Sequence, residues 1–272
     1  MKWYSRVTPM LVMLVLLISA IVGCSSSNNH QGNHSNSSAP TELYVLAAAS
    51  LADAMKELTP IYESSHPGQK LVISYGSSGT LQQQIEQGAP ADLFVSAASK
   101  QMKALVEKDF IDAQNTMDLL KNQLVLVVPK NTETPFKGFE DLQNPAVKKV
   151  AIGHPESVPA GTYAKETLAN LNVWDPLQSK FVFAKDVRQV LSYVETGNVD
   201  AGIVYKTDAA SSDKVTIAAT ADEKSHSPIV YPMGVTKNSK HPNEAQILYK
   251  WLHGSEAASV FAKYGFDPVG KQ

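Results

Sequence analysis

Short apolar segments alternate with amphipathic helical patterns twice along this chain, and that alternation leaves few folds open. Leu43–Ala47 has the composition of a strand, and Leu51, Ala54, Met55, Leu58 and Ile61 recur after it at helical spacing. Leu71–Ile73, a helix carrying Leu81 and Ile85, and Asp92–Val95 continue the series. A second set opens after Leu124–Val128: Val150–Ile152, a helix from about Tyr163 to Leu171, Phe181–Phe183, a helix over Val187–Glu195, and Ala201–Val204. Strand-helix-strand order predicts parallel sheets with helices on their faces, and two such sets predict two α/β lobes. In both sets a glycine closes a helix and an aspartate precedes the next strand, at Gly88/Asp92 and Gly197/Asp200. The helical patterns at Ala245–Leu252 and Ala257–Tyr264 are expected to pack back on the first lobe.

The beginning of the chain reads differently. Lys2 and Arg6 precede an almost wholly apolar run from Met10 to Val22, and Ile21-Val22-Gly23 leads into Cys24, the single cysteine. That is the pattern of a signal peptide with a lipidation site, so residues 1–23 are expected to be removed and Cys24 to carry lipid. The apolar run of 13 residues is short of the roughly 20 that a spanning helix needs. Residues 24–41, rich in Ser, Asn, Gln, Gly and His, have too little apolar surface to fold and read as a tether. With Cys24 lipidated, no thiol remains for disulfides, metal ligation or catalysis. His30 and His34 lie in the tether with no helix to present them to one metal. A formal net charge of −2 and the lack of a basic cluster argue against nucleic acid as a partner.

Enzymatic signatures fail in detail. Gly76-Ser77-Ser78-Gly79-Thr80 approaches the G-x-S-x-G nucleophile elbow, but Thr80 stands where the last glycine is required. Gly265–Lys271 fits a P-loop spacing, but Gln272 replaces its Ser/Thr and no helix can follow. What remains are junctions where small residues give way to helices without an adjacent lysine or arginine. Ser50 and Ser78 lie at two of them, Ala160 follows Pro159 at a third, and Val187 follows Asp186, a natural N-cap, at a fourth. Free N–H groups at helix starts favour anions. Each charge-assisted hydrogen bond contributes roughly 1.5–3 kcal/mol, so several are needed to offset the dehydration of a small dianion.

The ordered strings AAASLADAM (47–55), GSSGTLQQQIEQGAPADLFVSA (76–97), PESVPAGTYAKETL (155–168), KDVRQVLSYVETG (185–197), GIVYKTDA (202–209) and KYGF (263–266) make the chain resemble the molybdate-binding proteins of ABC transporters. The resemblance implies a type II periplasmic-binding-protein fold, two α/β lobes with a hinge and an interlobe ligand cleft. It implies that Ser50, Ser78, Ala160, Val187 and Tyr205 hold molybdate or tungstate, with no cofactor and no direct metal ligand. Adjacent Ser77 leaves the choice of serine open by one residue. The expected partners are the membrane permease of a transporter and a small oxyanion, for a monomer lipid-anchored outside the cytoplasm. Lobe 1 is expected over 42–121 plus 239–272 and lobe 2 over 122–238. The alternatives are a receptor for another oxyanion such as sulfate, an extracytoplasmic hydrolase using Ser50 or Ser78, and a structural lipoprotein.

Overall fold

The computed structural model describes residues 39–132 and 136–270. The expected signal peptide, Cys24 and nearly all of the tether lie outside the described residues.

The first set of elements is β1 (Thr41–Ala48), α1 (Ala52–Ser65), β2 (Gln69–Gly76), α2 (Ser78–Glu86), β3 (Leu93–Val95), α3 (Ser99–Glu107) and β4 (Ile111–Lys121). β1 runs parallel to both β2 and β3, as strands joined by helical crossovers must. The second set is β5 (Leu124–Pro129), β6 (Val150–Gly153), α4 (Pro159–Asn170), α5 (Trp174–Leu177), β7 (Phe181–Ala184), α6 (Val187–Glu195), β8 (Ala201–Tyr205), α7 (Lys206–Ala210) and β9 (Val215–Thr220). Here β6 is parallel to β7 and β8, while β5 lies antiparallel between β8 and β9. The chain then returns through β10 (Val230–Thr236), α8 (Pro242–Leu252), α9 (Ser255–Lys263) and β11 (Asp267–Pro268).

Two sheets result, a six-stranded one in the order β11-β4-β10-β3-β1-β2 and a five-stranded one in the order β7-β6-β8-β5-β9. This is the two-lobed type II arrangement expected from the sequence. The position of β10 moves one boundary: it pairs antiparallel with β3 and β4, so residues 230–236 belong to the first sheet, not to a second lobe ending at 238. Pro232 and Gly234 disguise it, because both weaken a strand pattern. The ladder accommodates them with register shifts at Tyr231/Pro232 and Gly234/Thr236.

The chain passes between the sheets at Asn122–Gln123 and again between β9 and β10. The two passages are tied together, Asn122 N–H donating to Ile229 C=O at 3.3 Å and Ala221 N–H to Leu124 C=O at 2.9 Å. Buried apolar residues form one continuous core under both sheets, including Leu43, Leu58 and Leu93 in the first and Val125, Val190 and Ile203 in the second. A smaller cluster of Leu81, Ile85, Phe94, Met102 and Leu105 fills the space under α2 and α3. α8 packs on β10 and α9 on α1, as expected of the C-terminal helices. Gly88 and Gly197 end α2 and α6 with φ of +85° and +67°, the left-handed geometry that favours glycine. Among the described residues no helix is long and apolar enough to cross a membrane.

Candidate functional site

In an open α/β sheet, ligands sit beyond the carboxyl ends of the strands, where the following helices begin. Five such ends meet here. β1 leads into a 3-10 turn at Ala49–Leu51, β2 into α2, β6 into the loop before α4, β7 into α6 and β8 into α7. Between them lies a narrow hollow of about 10 Å³ lined by Ala48, Ala49, Ser50, Gly76, Ser77, Ser78, Ala97, Val158, Pro159, Ala160, Asp186, Val187 and Tyr205. That is about the room a single water needs, far below the range of pockets for drug-sized molecules. The structure therefore brings Ser50, Ser78, Ala160, Val187 and Tyr205 to one place, from both sheets.

Each arrives for a local reason. Ser77 is the N-cap of α2: its Oγ accepts from Thr80 N–H at 3.2 Å and its hydroxyl donates to Thr80 Oγ1 at 2.8 Å. Ser78 follows at the first helical position, fully buried, and its Oγ accepts from Ala97 N–H at 2.9 Å, which leaves its hydrogen free. Ser50 does not cap a helix but sits inside the 3-10 turn, with Oγ 2.9 Å from the Tyr231 hydroxyl. Pro159 opens α4, where its missing N–H costs nothing, and Ala160 comes next. Asp186 caps α6 through a 2.8 Å bond from Gln189 N–H, which places Val187 at the first turn.

Tyr205 ends β8, fully buried, and its hydroxyl makes no hydrogen bond of good geometry among the described residues, although the Tyr231 hydroxyl is close enough to help raise its pKa. Burial lifts its pKa well above the usual phenol value, so the hydrogen stays on. A buried hydroxyl left unpaired costs about 1–3 kcal/mol. An acceptor entering the hollow would remove that cost.

Among the described residues no lysine or arginine lines the hollow. The nearest guanidinium, Arg188, is engaged elsewhere: it bonds Asp53 of the first lobe at 2.7 Å, Asp208 at 3.4 Å and Ser211 at 2.9 Å. Its pairing with Asp53 crosses between α6 and α1, and the lobes also meet where Gly79 N–H donates to Ser157 C=O at 2.9 Å. A β-carbon on Gly79 would lie 2.5 Å from that carbonyl oxygen. Burial raises Asp208 to about 7, against the opposing pull of Arg188. Neither Ser50 nor Ser78 has a histidine among its hydrogen-bond partners, so no nucleophile–base pair is formed. Among the described residues no cluster of three or more His, Cys, Asp or Glu could hold a metal ion.

Tyr231 and Asn122 are the members of this neighbourhood that the sequence did not single out. Tyr231 lies on the disguised strand β10, and Asn122 in the crossing between the sheets. An aromatic beside Pro232 at a strand start carries no sequence signal of its own.

Residues 43–267 match the family described as bacterial extracellular solute-binding protein. The chain belongs to this family. Within this solute-binding class, it is 50% identical over 246 residues to YvgL of Bacillus subtilis, a protein provisionally named as an ABC transporter substrate-binding lipoprotein. That alignment covers 90% of this chain and 92% of the relative. The molybdate-binding protein ModA of Escherichia coli is 41% identical over 231 residues, covering 83% of this chain and 88% of the relative. The structure of the periplasmic molybdate-binding protein of Azotobacter vinelandii superposes with a TM-score of 0.75 at 26% identity, over 85% of this chain and 100% of that one.

Proposed function

We propose that this solute-binding protein captures molybdate, and tungstate with it, outside the cytoplasm and delivers it to the permease of an ABC transporter. The observation that carries the reading is a small hollow between two lobes, free of lysine and arginine, into which an unpartnered Tyr205 hydroxyl and the free hydrogen of Ser78 are left to donate. Ser50 and Ser78 supply hydroxyls from one lobe, Ala160 and Val187 supply N–H groups from the starts of α4 and α6, and Tyr205 supplies its phenol. Ser78 rather than Ser77 is the ligand, because the Ser77 hydroxyl is spent on Thr80. The molybdate-binding relatives support the choice of oxyanion, and YvgL supports the transporter and the lipid anchor. Cys24 carries that anchor and residues 24–41 let a monomer turn toward its permease.

Donors from both lobes favour the closed arrangement by the ligand's differential affinity for it. Dipoles without an ion pair hold a fully deprotonated dianion, while discrimination from sulfate rests on the size of the hollow. Calorimetry of the purified protein with molybdate, tungstate, sulfate and phosphate tests this. Molybdate and tungstate should bind with similar affinity and sulfate more weakly. Phosphate binding as tight as molybdate would end the reading.

A further inference from the structure

A hydroxyl carries one hydrogen and can also accept, so the selectivity of a serine-lined site depends on which of the two it shows the ligand. We propose that Tyr231 and Asn122 are specificity-determining residues that hold Ser50 as a hydrogen-bond donor toward the hollow, so that a tetrahedral oxyanion carrying its own proton is rejected. The proposal rests on the oxyanion reading above and assigns part of its selectivity to residues outside the lining of the site.

The direction is biased one atom at a time. Asn122 Oδ1 accepts from Gln123 N–H at 2.9 Å, so its amide nitrogen faces the other way. That nitrogen donates to Thr207 Oγ1 at 2.9 Å and to the Tyr231 oxygen at 3.2 Å, which uses both of its hydrogens. Tyr231 is fully buried and has one hydrogen of its own. On distance alone either oxygen of the 2.9 Å Tyr231–Ser50 pair could donate, and the bond from Asn122 to the Tyr231 oxygen favours the Tyr231 hydrogen going to Ser50 Oγ. That order disfavours Ser50 spending its hydrogen on Tyr231 and turning only lone pairs inward. Its hydrogen is left for the hollow. Ser78 is held with the same polarity by Ala97 N–H. Molybdate and sulfate carry no proton near neutral pH and match such a wall, whereas hydrogen phosphate has a hydroxyl that would meet donors.

Asn122→Asp reverses the chain, because a carboxylate accepts the Tyr231 hydrogen. Ser50 then donates to Tyr231 and presents lone pairs to the ligand. The added negative charge weakens sulfate and hydrogen phosphate alike, since both are dianions at pH 8, so their affinity ratio isolates polarity. The experiment is competition calorimetry of the purified full chain at pH 8 with molybdate as the reporter and sulfate and phosphate as competitors. It is run on the unmodified protein, Asn122→Asp and Tyr231→Phe, with thermal unfolding of each. The expected result is a fall in the sulfate-to-phosphate ratio of about tenfold in Asn122→Asp and about threefold in Tyr231→Phe, in folded proteins. Equal weakening of both anions in the folded variants would give Tyr231 and Asn122 a packing role only and overturn the proposal. If the unmodified protein bound none of the three anions, the oxyanion reading itself would fall, and this one with it.

Discussion

The two lobes bring different chemistry to the same hollow. The first contributes hydroxyls, Ser50 in a 3-10 turn and Ser78 at the start of α2, each with its oxygen tied to a neighbour within the same lobe. The second contributes main-chain N–H groups at the starts of α4 and α6, with Tyr205 at the end of β8. A hydroxyl must be aimed by a partner, whereas an N–H is aimed by the helix that carries it. Selectivity can thus be tuned in the first lobe by changing what holds a serine, while the second lobe is set by where its helices begin.

The largest effect is expected from keeping the halves apart. Gly79→Leu drives a side chain into the Ser157 backbone, and backbone cannot move as the end of a side chain can. With each second-lobe donor contributing about 1.5–3 kcal/mol, molybdate affinity should fall on the order of 100-fold or more. Unfolding of the ligand-free protein should stay near its usual temperature, because leucine suits the first turn of α2. Calorimetry showing unchanged affinity would mean that the second lobe contributes nothing.

Removing one donor from each side sharpens the contrast. Val187→Pro deletes a main-chain donor at a helix position that tolerates proline, after Asp186 in the extended conformation that proline prefers before it (φ −157°, ψ 171°). Ser78→Ala deletes a hydroxyl. Both should weaken molybdate by about 1–3 kcal/mol, roughly 5- to 150-fold. If only the serine change matters in titrations, the main-chain half of the site is wrong.

Tyr205→Phe separates ligand binding from packing. It should weaken molybdate by about 1–3 kcal/mol, the range for a lost buried hydrogen bond. The same change should leave the ligand-free protein as stable or more so, since the hydroxyl has no partner there. A lowered melting temperature without ligand would show that the phenol supports the fold instead.

The last effect falls on stability and not on affinity, and concerns pH. Asp208 is raised to about 7, mainly by burial, so the folded chain holds a proton there that the unfolded chain releases near pH 4. Stability contributed by this group is therefore highest at acid pH, declines between about 4 and 7 and levels off above, by on the order of a few kcal/mol. Asp208→Asn should remove that slope in denaturant titrations at pH 5 and 8. An unaltered slope would place the titration elsewhere.

How much of this was legible in the sequence follows from which elements have a simple period. β1, β6 and β8 are apolar runs largely buried in their sheets, β2 holds a short apolar stretch at Leu71–Ile73, and α1 and α6 carry clear helical spacing, so the double α/β plan could be read directly. β4 could not: Ile111–Lys121 is largely polar and half exposed, the pattern of a loop. β9 is partly exposed along its length, and β10 contains both Pro232 and Gly234. Missing β10 hid Tyr231, which touches Ser50 only because a strand 181 residues later returns to the first sheet. Ser77 and Ser78 are chemically identical in a string of letters. They differ once α2 gives one a cap to make and the other Ala97 to face.

The amide of Asn122 reaches Thr207 in one half of the molecule and Tyr231 in the other from a crossing of only two residues. Parting the halves would strain one of those bonds, and with it the proposed hydrogen order that ends at Ser50. On the hydrogen order proposed above, discrimination against protonated anions would be strongest with the jaws shut and would relax as they separate, so a motion that freed the cargo would also disarm the filter.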